Sequence, residues 1–167
     1  MSETIELANQ VGQALRMRDL LVTTAESCTG GGVAMALTEI PGSSQWFECG
    51  LVTYSNTSKT SLLNVPTALI ARHGAVSEEV AAAMATGAVA TTKAHVALST
   101  TGIAGPGGAV PGKPVGTVFF GFATKERVHT EKFLFTGDRQ AIRNQAVIHA
   151  LREFLLFLQD SASHSQS

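Results

Sequence analysis

The chain has 167 residues, 44% of them apolar and 15% charged, with a formal net charge of -1. That length suits a single domain with a hydrophobic core of its own, and the composition excludes a disordered chain. The charge gives no reason to expect nucleic acid or an anionic membrane as a partner, and no apolar run reaches the ~18 residues of a membrane span.

Ile5, Ala8, Val11 and Leu15 recur at helical spacing, which predicts a helix from Glu3 to Arg18. Its first residues carry two glutamates and no basic stretch, so they do not read as a secretory signal. Leu20–Thr24 predicts a strand. A Gly-rich turn around Ser27 follows, then a helix from about Thr29 to Ile40, closed by Pro41-Gly42. Leu51–Tyr54 reads as a short buried strand. Asn56–Leu63 and Thr67–Arg72 read as two short helices parted by Pro66, with a break at His73-Gly74. Ser77 before Glu78 and Glu79 predicts a capped helix that runs to Lys93, and its small residues suggest close packing on a sheet. Val96–Thr100 is a strand entering the loop Gly102–Gly112. Gly116–Ala123 and His129–Phe135 form a hairpin. Asp138 caps a last helix whose buried side holds Ile142, Ala146, Leu151, Phe154, Leu155 and Leu158. The expected architecture is a three-layer α/β/α sandwich with a mixed, mostly parallel sheet, one domain over residues 1–160, and a disordered polar tail over 161–167. Two cysteines make no secreted disulfide framework, so a cytoplasmic location is expected.

Three segments follow predicted strands, where open α/β sheets bind ligands. In the first, Ala25-Glu26-Ser27-Cys28-Thr29-Gly30-Gly31-Gly32, a serine stands beside the free N–H groups of a helix start, as acyl transfer requires. Helix capping is the commoner use of a serine there. The crowding of Glu26, Ser27, Cys28 and Thr29 after a buried strand gives weight to chemistry. Cys28 is a rival nucleophile with no adjacent basic residue to activate it. The second segment, Tyr54-Ser55-Asn56-Thr57-Ser58-Lys59, supplies a lysine. Spacing alone makes Lys59 a solvated helix residue. The functional reading needs it beside Ser27 and deprotonated, with Tyr54 relaying a proton or holding the amine. The third is Thr101-Gly102-Ile103-Ala104-Gly105-Pro106-Gly107-Gly108, whose glycines let backbone N–H groups approach a ligand. Gly107 to Lys113 has the spacing of a phosphate-binding loop, but Pro114 stands where a Ser or Thr is required and a strand follows, which excludes a nucleotide triphosphatase. Arg139, Arg143 and Asn144 open the last helix, either as an anion clamp or as a solvated face. The five histidines lie scattered, without the spacing of a zinc site.

Together with His73-Gly74-Ala75-Val76-Ser77, Lys113-Pro114-Val115-Gly116-Thr117-Val118 and Gly137-Asp138-Arg139, these segments resemble the CinA C-terminal domain family over nearly the whole chain. Family members of known activity are nicotinamide-nucleotide amidases, which turn nicotinamide mononucleotide into nicotinate mononucleotide and ammonia in pyridine-nucleotide salvage. The resemblance implies a fold of the kind shared with anticodon-binding domains, a homodimer or higher homo-oligomer, no metal and no cofactor. It also implies a serine nucleophile, a lysine base and a tyrosine, which map onto Ser27, Lys59 and Tyr54. Substrate-binding candidates are Thr29 and Gly30 at the turn, Thr101, Gly102 and Gly105 in the loop, and Arg139, Arg143 and Asn144. Thr29 and Gly30 are expected to hold the oxyanion. The loop and the arginines would grip ribose and phosphate. Larger members carry an N-terminal pyrophosphatase domain, for which this length leaves no room. Gly32-Val33 departs from the family, where a bulkier residue is common. A hydrolase of another small amide and a non-catalytic nucleotide-sensing module are the alternative readings.

Overall fold

The computed structural model describes residues 2–165. The helices are α1 (Glu3–Met17), α2 (Gly32–Thr38), α3 (Asn56–Leu63), α4 (Thr67–His73), α5 (Glu78–Thr91) and α6 (Arg139–Ser165). The strands are β1 (Val22–Glu26), β2 (Phe47–Val52), β3 (Val96–Gly102), β4 (Thr117–Ala123) and β5 (Val128–Leu134), and Ser43–Gln45 form one 3₁₀ turn. The sheet order is β2-β1-β3-β4-β5. β1 pairs parallel with β2 and β3, whereas β3–β4 and β4–β5 are antiparallel. The sheet is thus mixed as expected, with its pairings divided evenly between the two senses. Among the described residues no helix is long and apolar enough to cross a membrane.

Alternation along the strands divides the core in two. Val22, Val96, Leu98, Val118, Phe120 and Phe122 face α1, α2 and α6 and pack on Leu15, Leu37, Leu151 and Phe154. Ala25, Ala97 and Ala123 face the other layer and pack on Val80, Met84 and Ala88 of α5 and Leu63 of α3. The small residues on that second face let α5 lie directly on the sheet: Ser99 Oγ donates to the Ala81 carbonyl at 2.7 Å. The same closeness joins α5 to α3. A Cβ on Gly87 would overlap the Leu63 carbonyl oxygen and stand 2.8 Å from its carbon, so only glycine fits at this crossing.

The largest departures from the boundaries expected of the sequence are at β2 and α6; β1, at Val22–Glu26, and α2, at Gly32–Thr38, are displaced by two or three residues. β2 starts at Phe47, four residues before the predicted strand, and alternates between half-buried and exposed positions. Glu48 and Gly50 interrupt its apolar run, as an edge strand allows. α6 continues to Ser165, past the 161 assigned to a polar tail; residues 166–167 lie outside those described.

Candidate active site

β2, β1 and β3 are neighbours and run parallel, so their C-terminal ends share one edge of the sheet. The Ser27 turn, the Thr53–Tyr54 link and the loop after Thr101 leave from that edge and enclose a cleft of about 310 Å³. Ser27, Cys28, Tyr54, Lys59, Thr101, Gly102, Gly105 and Arg139 line it.

Ser27 lies immediately after β1. Its N–H donates to the Thr100 carbonyl at 3.0 Å, which continues the β1–β3 pairing and fixes the serine at the cleft floor. The Ser27 side chain does not cap α2. Glu26 does so: this fully buried carboxylate accepts from the N–H groups of Val33 (2.9 Å) and Ala34 (3.0 Å) and from Thr29 Oγ1 (2.5 Å). A negative charge is stabilised at a helix start, and three hydrogen bonds make its burial tolerable. The fourth group of the network is Thr100, whose hydroxyl meets that of Thr29 at 2.7 Å. The sequence signal for Glu26 was an acid just ahead of a helix start, and it was read only as part of a reactive cluster.

Lys59 sits in the first turn of α3 and is 1% exposed. Its Nζ lies 3.1 Å from Ser27 Oγ, 2.8 Å from the Thr53 carbonyl and 3.1 Å from the Tyr54 carbonyl. Thr53 is brought there because its N–H pairs with the Glu26 carbonyl at 2.8 Å, one step beyond β2. No carboxylate forms an ion pair with Lys59 among the described residues. Burial lowers the lysine pKa from its ordinary 10.5. Nζ can donate to all three oxygens; once deprotonated, its two remaining hydrogens can serve the two carbonyls and its lone pair can face the Ser27 hydroxyl. The solvated-lysine alternative is therefore excluded. Burial pushes the neighbouring Cys28 thiol up to about 12, so it stays protonated at neutral pH and is a poor nucleophile.

The tyrosine contributes differently from the expectation. Its backbone carbonyl holds Lys59, while the residue is 62% exposed and its hydroxyl accepts from Arg139 Nη2 at 3.2 Å. Arg139, at the start of α6, also donates through Nη1 to the Gly105 carbonyl at 2.7 Å. It therefore faces the cleft beside the Gly-rich loop.

Other expected site residues lie outside the cleft. Arg143 Nε donates to the Cys28 carbonyl at 3.1 Å and Nη2 reaches the Thr29 carbonyl at 3.5 Å, so this guanidinium braces the Ser27 turn from behind. Asn144 lines a different groove, with Ile5, Met35 and Val147. The Thr29 hydroxyl is enclosed in the Glu26–Thr100 network. The Gly30 N–H donates to the Ser27 carbonyl at 3.0 Å, which removes it as an oxyanion donor; no partner is found for the Thr29 N–H among the described residues. Thr101 lines the cleft with its hydroxyl donated to the Ala75 carbonyl at 2.8 Å. At Gly32, where bulkier residues were expected, a Cβ would stand 2.9 Å from Val147 of α6, which explains the glycine by close helix packing.

Fold and cleft define an α/β/α protein with a buried serine–lysine pair at the C-terminal edge of its parallel strands. Residues 4–158 match the profile of the CinA C-terminal domain, and the chain belongs to that family. It is 52% identical over 151 residues to the nicotinamide-nucleotide amidohydrolase PncC of Pseudomonas putida, covering 90% of this chain and 94% of the relative. The protein of the same name from Escherichia coli strain K12 is 53% identical over 152 residues, with 90% and 92% covered. Among solved structures, the competence/damage inducible protein CihA of Agrobacterium tumefaciens superposes with a TM-score of 0.90 at 40% identity, covering 95% of this chain and 97% of its own.

Proposed function

We propose that the chain is an amidase that hydrolyses the carboxamide of nicotinamide mononucleotide to nicotinate mononucleotide and ammonia, with Ser27 as nucleophile and Lys59 as base. The observation that carries the mechanism is the 3.1 Å approach of a buried amine to the Ser27 hydroxyl at the cleft floor. The substrate assignment is supported by the names of relatives above 50% identity that this chain covers almost end to end.

Neutral Lys59 takes the Ser27 proton as Oγ bonds to the carboxamide carbon. The carbonyl π electrons move onto oxygen, where backbone N–H groups of the cleft would meet that charge. As the C–N bond breaks, the Lys59 ammonium returns the proton to the departing nitrogen, which leaves as ammonia. Water, deprotonated by the same amine, then attacks the nicotinoyl ester; the acyl C–O bond breaks, the Lys59 ammonium returns the proton to Ser27 Oγ, and the acid leaves as the carboxylate with its proton going to solvent. Ammonia release from nicotinamide mononucleotide, nicotinamide and glutamine tests the assignment. Preference for either of the last two would replace the substrate. No release from any small amide would leave a nucleotide-sensing module.

Arg139 is the residue we assign to the substrate phosphate. A guanidinium has five donors, and the Gly105 carbonyl and the Tyr54 hydroxyl occupy only part of them. A charge-assisted hydrogen bond contributes about 1.5–3 kcal/mol, so Arg139→Ala should raise KM for the mononucleotide at least about tenfold. Nicotinamide riboside, which lacks the phosphate, should be turned over almost equally by both proteins. An equal loss on both substrates would assign Arg139 to cleft shape instead.

A further inference from the structure

Outside the cleft, β5 and α6 bring together a set of donors that the proposed reaction does not use. On β5, His129 and Glu131 are two residues apart and so share the face turned to α6, opposite Phe122 and Phe120 in the register with β4. On α6, His149 and Glu153 are four apart and stack on the face turned to β5. The facing atoms of Glu131, His149 and Glu153 lie within 4.8 Å of one another. Each pair has a spacing that lets two side chains of one element reach one ion. The pairs are about twenty residues apart in the chain, which is why a search for local ligand motifs passes over them.

Two observations separate this cluster from an ordinary surface ion pair. His149 Nε2 is buried and has no hydrogen-bond partner; it stands 3.7 Å from Glu131 Oε2. That is too long for a hydrogen bond and close to the separation of two ligands on one ion, about 3.3 Å for tetrahedral bonds of 2.0–2.1 Å. The imidazole is also held in place, with Phe120, Phe133 and Phe135 ring centroids 4.8, 4.7 and 5.6 Å away. Second, a Glu153 carboxylate oxygen lies within 4.8 Å of one on Glu131, and a cation between two facing carboxylates would relieve their repulsion beyond what the nearby Arg152 and His129 supply. His129 Nε2 sits 3.3 Å from the other Glu131 oxygen, where it would orient that carboxylate from the second shell of contacts.

We infer that Glu131, His149 and Glu153 form a binding site for one divalent transition ion of the Zn²⁺ class, which clips the outer strand β5 to α6. One imidazole and two carboxylates suit Zn²⁺, with water in the fourth position. The site is separate from the Ser27 cleft, whose lining contains none of these three residues. Its effect is therefore on stability: an ion that binds only the folded chain raises the melting temperature.

The test is calorimetric titration of Zn²⁺ into the chelator-treated full chain, with thermal melts alongside. One ion per chain and a higher melting temperature are expected, with ammonia release unchanged by the ion. Glu153→Gln and His149→Gln, checked for native circular dichroism, should each weaken binding at least about tenfold. His73→Gln, a histidine outside the cluster, should leave it unaltered. No one-to-one binding by the wild type overturns the site, as does wild-type affinity in either cluster variant.

Discussion

Replacing Ser27 with alanine is expected to cost at least about a thousandfold in ammonia release, the scale seen when a serine hydrolase loses its nucleophile. The fold should survive. The backbone N–H of residue 27 still pairs with Thr100, and among the described residues the one side-chain hydrogen bond removed is that with Lys59. Native circular dichroism and an unshifted melt would verify this. Cys28→Ala should remain active, because burial keeps that thiol protonated. The opposite pattern, an active Ser27→Ala and a dead Cys28→Ala, would move the nucleophile by one residue.

Lys59→Met should be equally inactive, and the wild-type pH profile should show why. The base acts as a free amine, so kcat/KM should rise with pH through the lysine's folded pKa, which burial places below 10.5. Stability should move in the same direction. Between the lowered folded value and 10.5 the unfolded chain binds the extra proton, so the folded state gains on it as pH increases. Below that window the folded chain carries the full penalty of a buried ammonium. Thermal melts of wild type and Lys59→Met across this range should therefore converge as pH rises. A flat kcat/KM profile below 10.5, or Lys59→Met with wild-type turnover, would remove the lysine from the mechanism.

Ser27 stood out as a serine at a strand end before a helix start, whereas Lys59 reads by spacing alone as a solvated helix residue and gained its role only through the family resemblance. What holds the two together was not legible. The Thr53 and Tyr54 carbonyls that face Lys59 belong to the main chain and leave no mark in residue identity. Tyr54 was singled out for its ring, and its peptide oxygen is what meets the amine. At the last helix, geometry already separated two candidates. Adjacent residues on a helix diverge by about 100°, so Arg143 and Asn144 could not share a face. Arg139 and Arg143, four apart, do share one. Which of them met the cleft depended on how α6 sits over the Ser27 turn, a tertiary fact. β2 was placed late for a related reason: Glu48 is exposed and need not be apolar, and Gly50 lies close to Thr24 and Ala34, where a Cβ would crowd them.

The crossing of α5 and α3 at Gly87 bears on how this chain can be engineered or can drift. A mid-helix glycine is an ordinary target for stabilisation, since alanine is better there by about 1 kcal/mol. Here the added methyl would meet the main chain of Leu63, and main chain cannot rotate aside as a side chain does. α3 would have to shift as a unit, carrying Lys59 one helical turn away. The glycine therefore acts as a depth stop for the amine. A substitution that never touches substrate would register as a weaker reaction before it registered as a weaker fold.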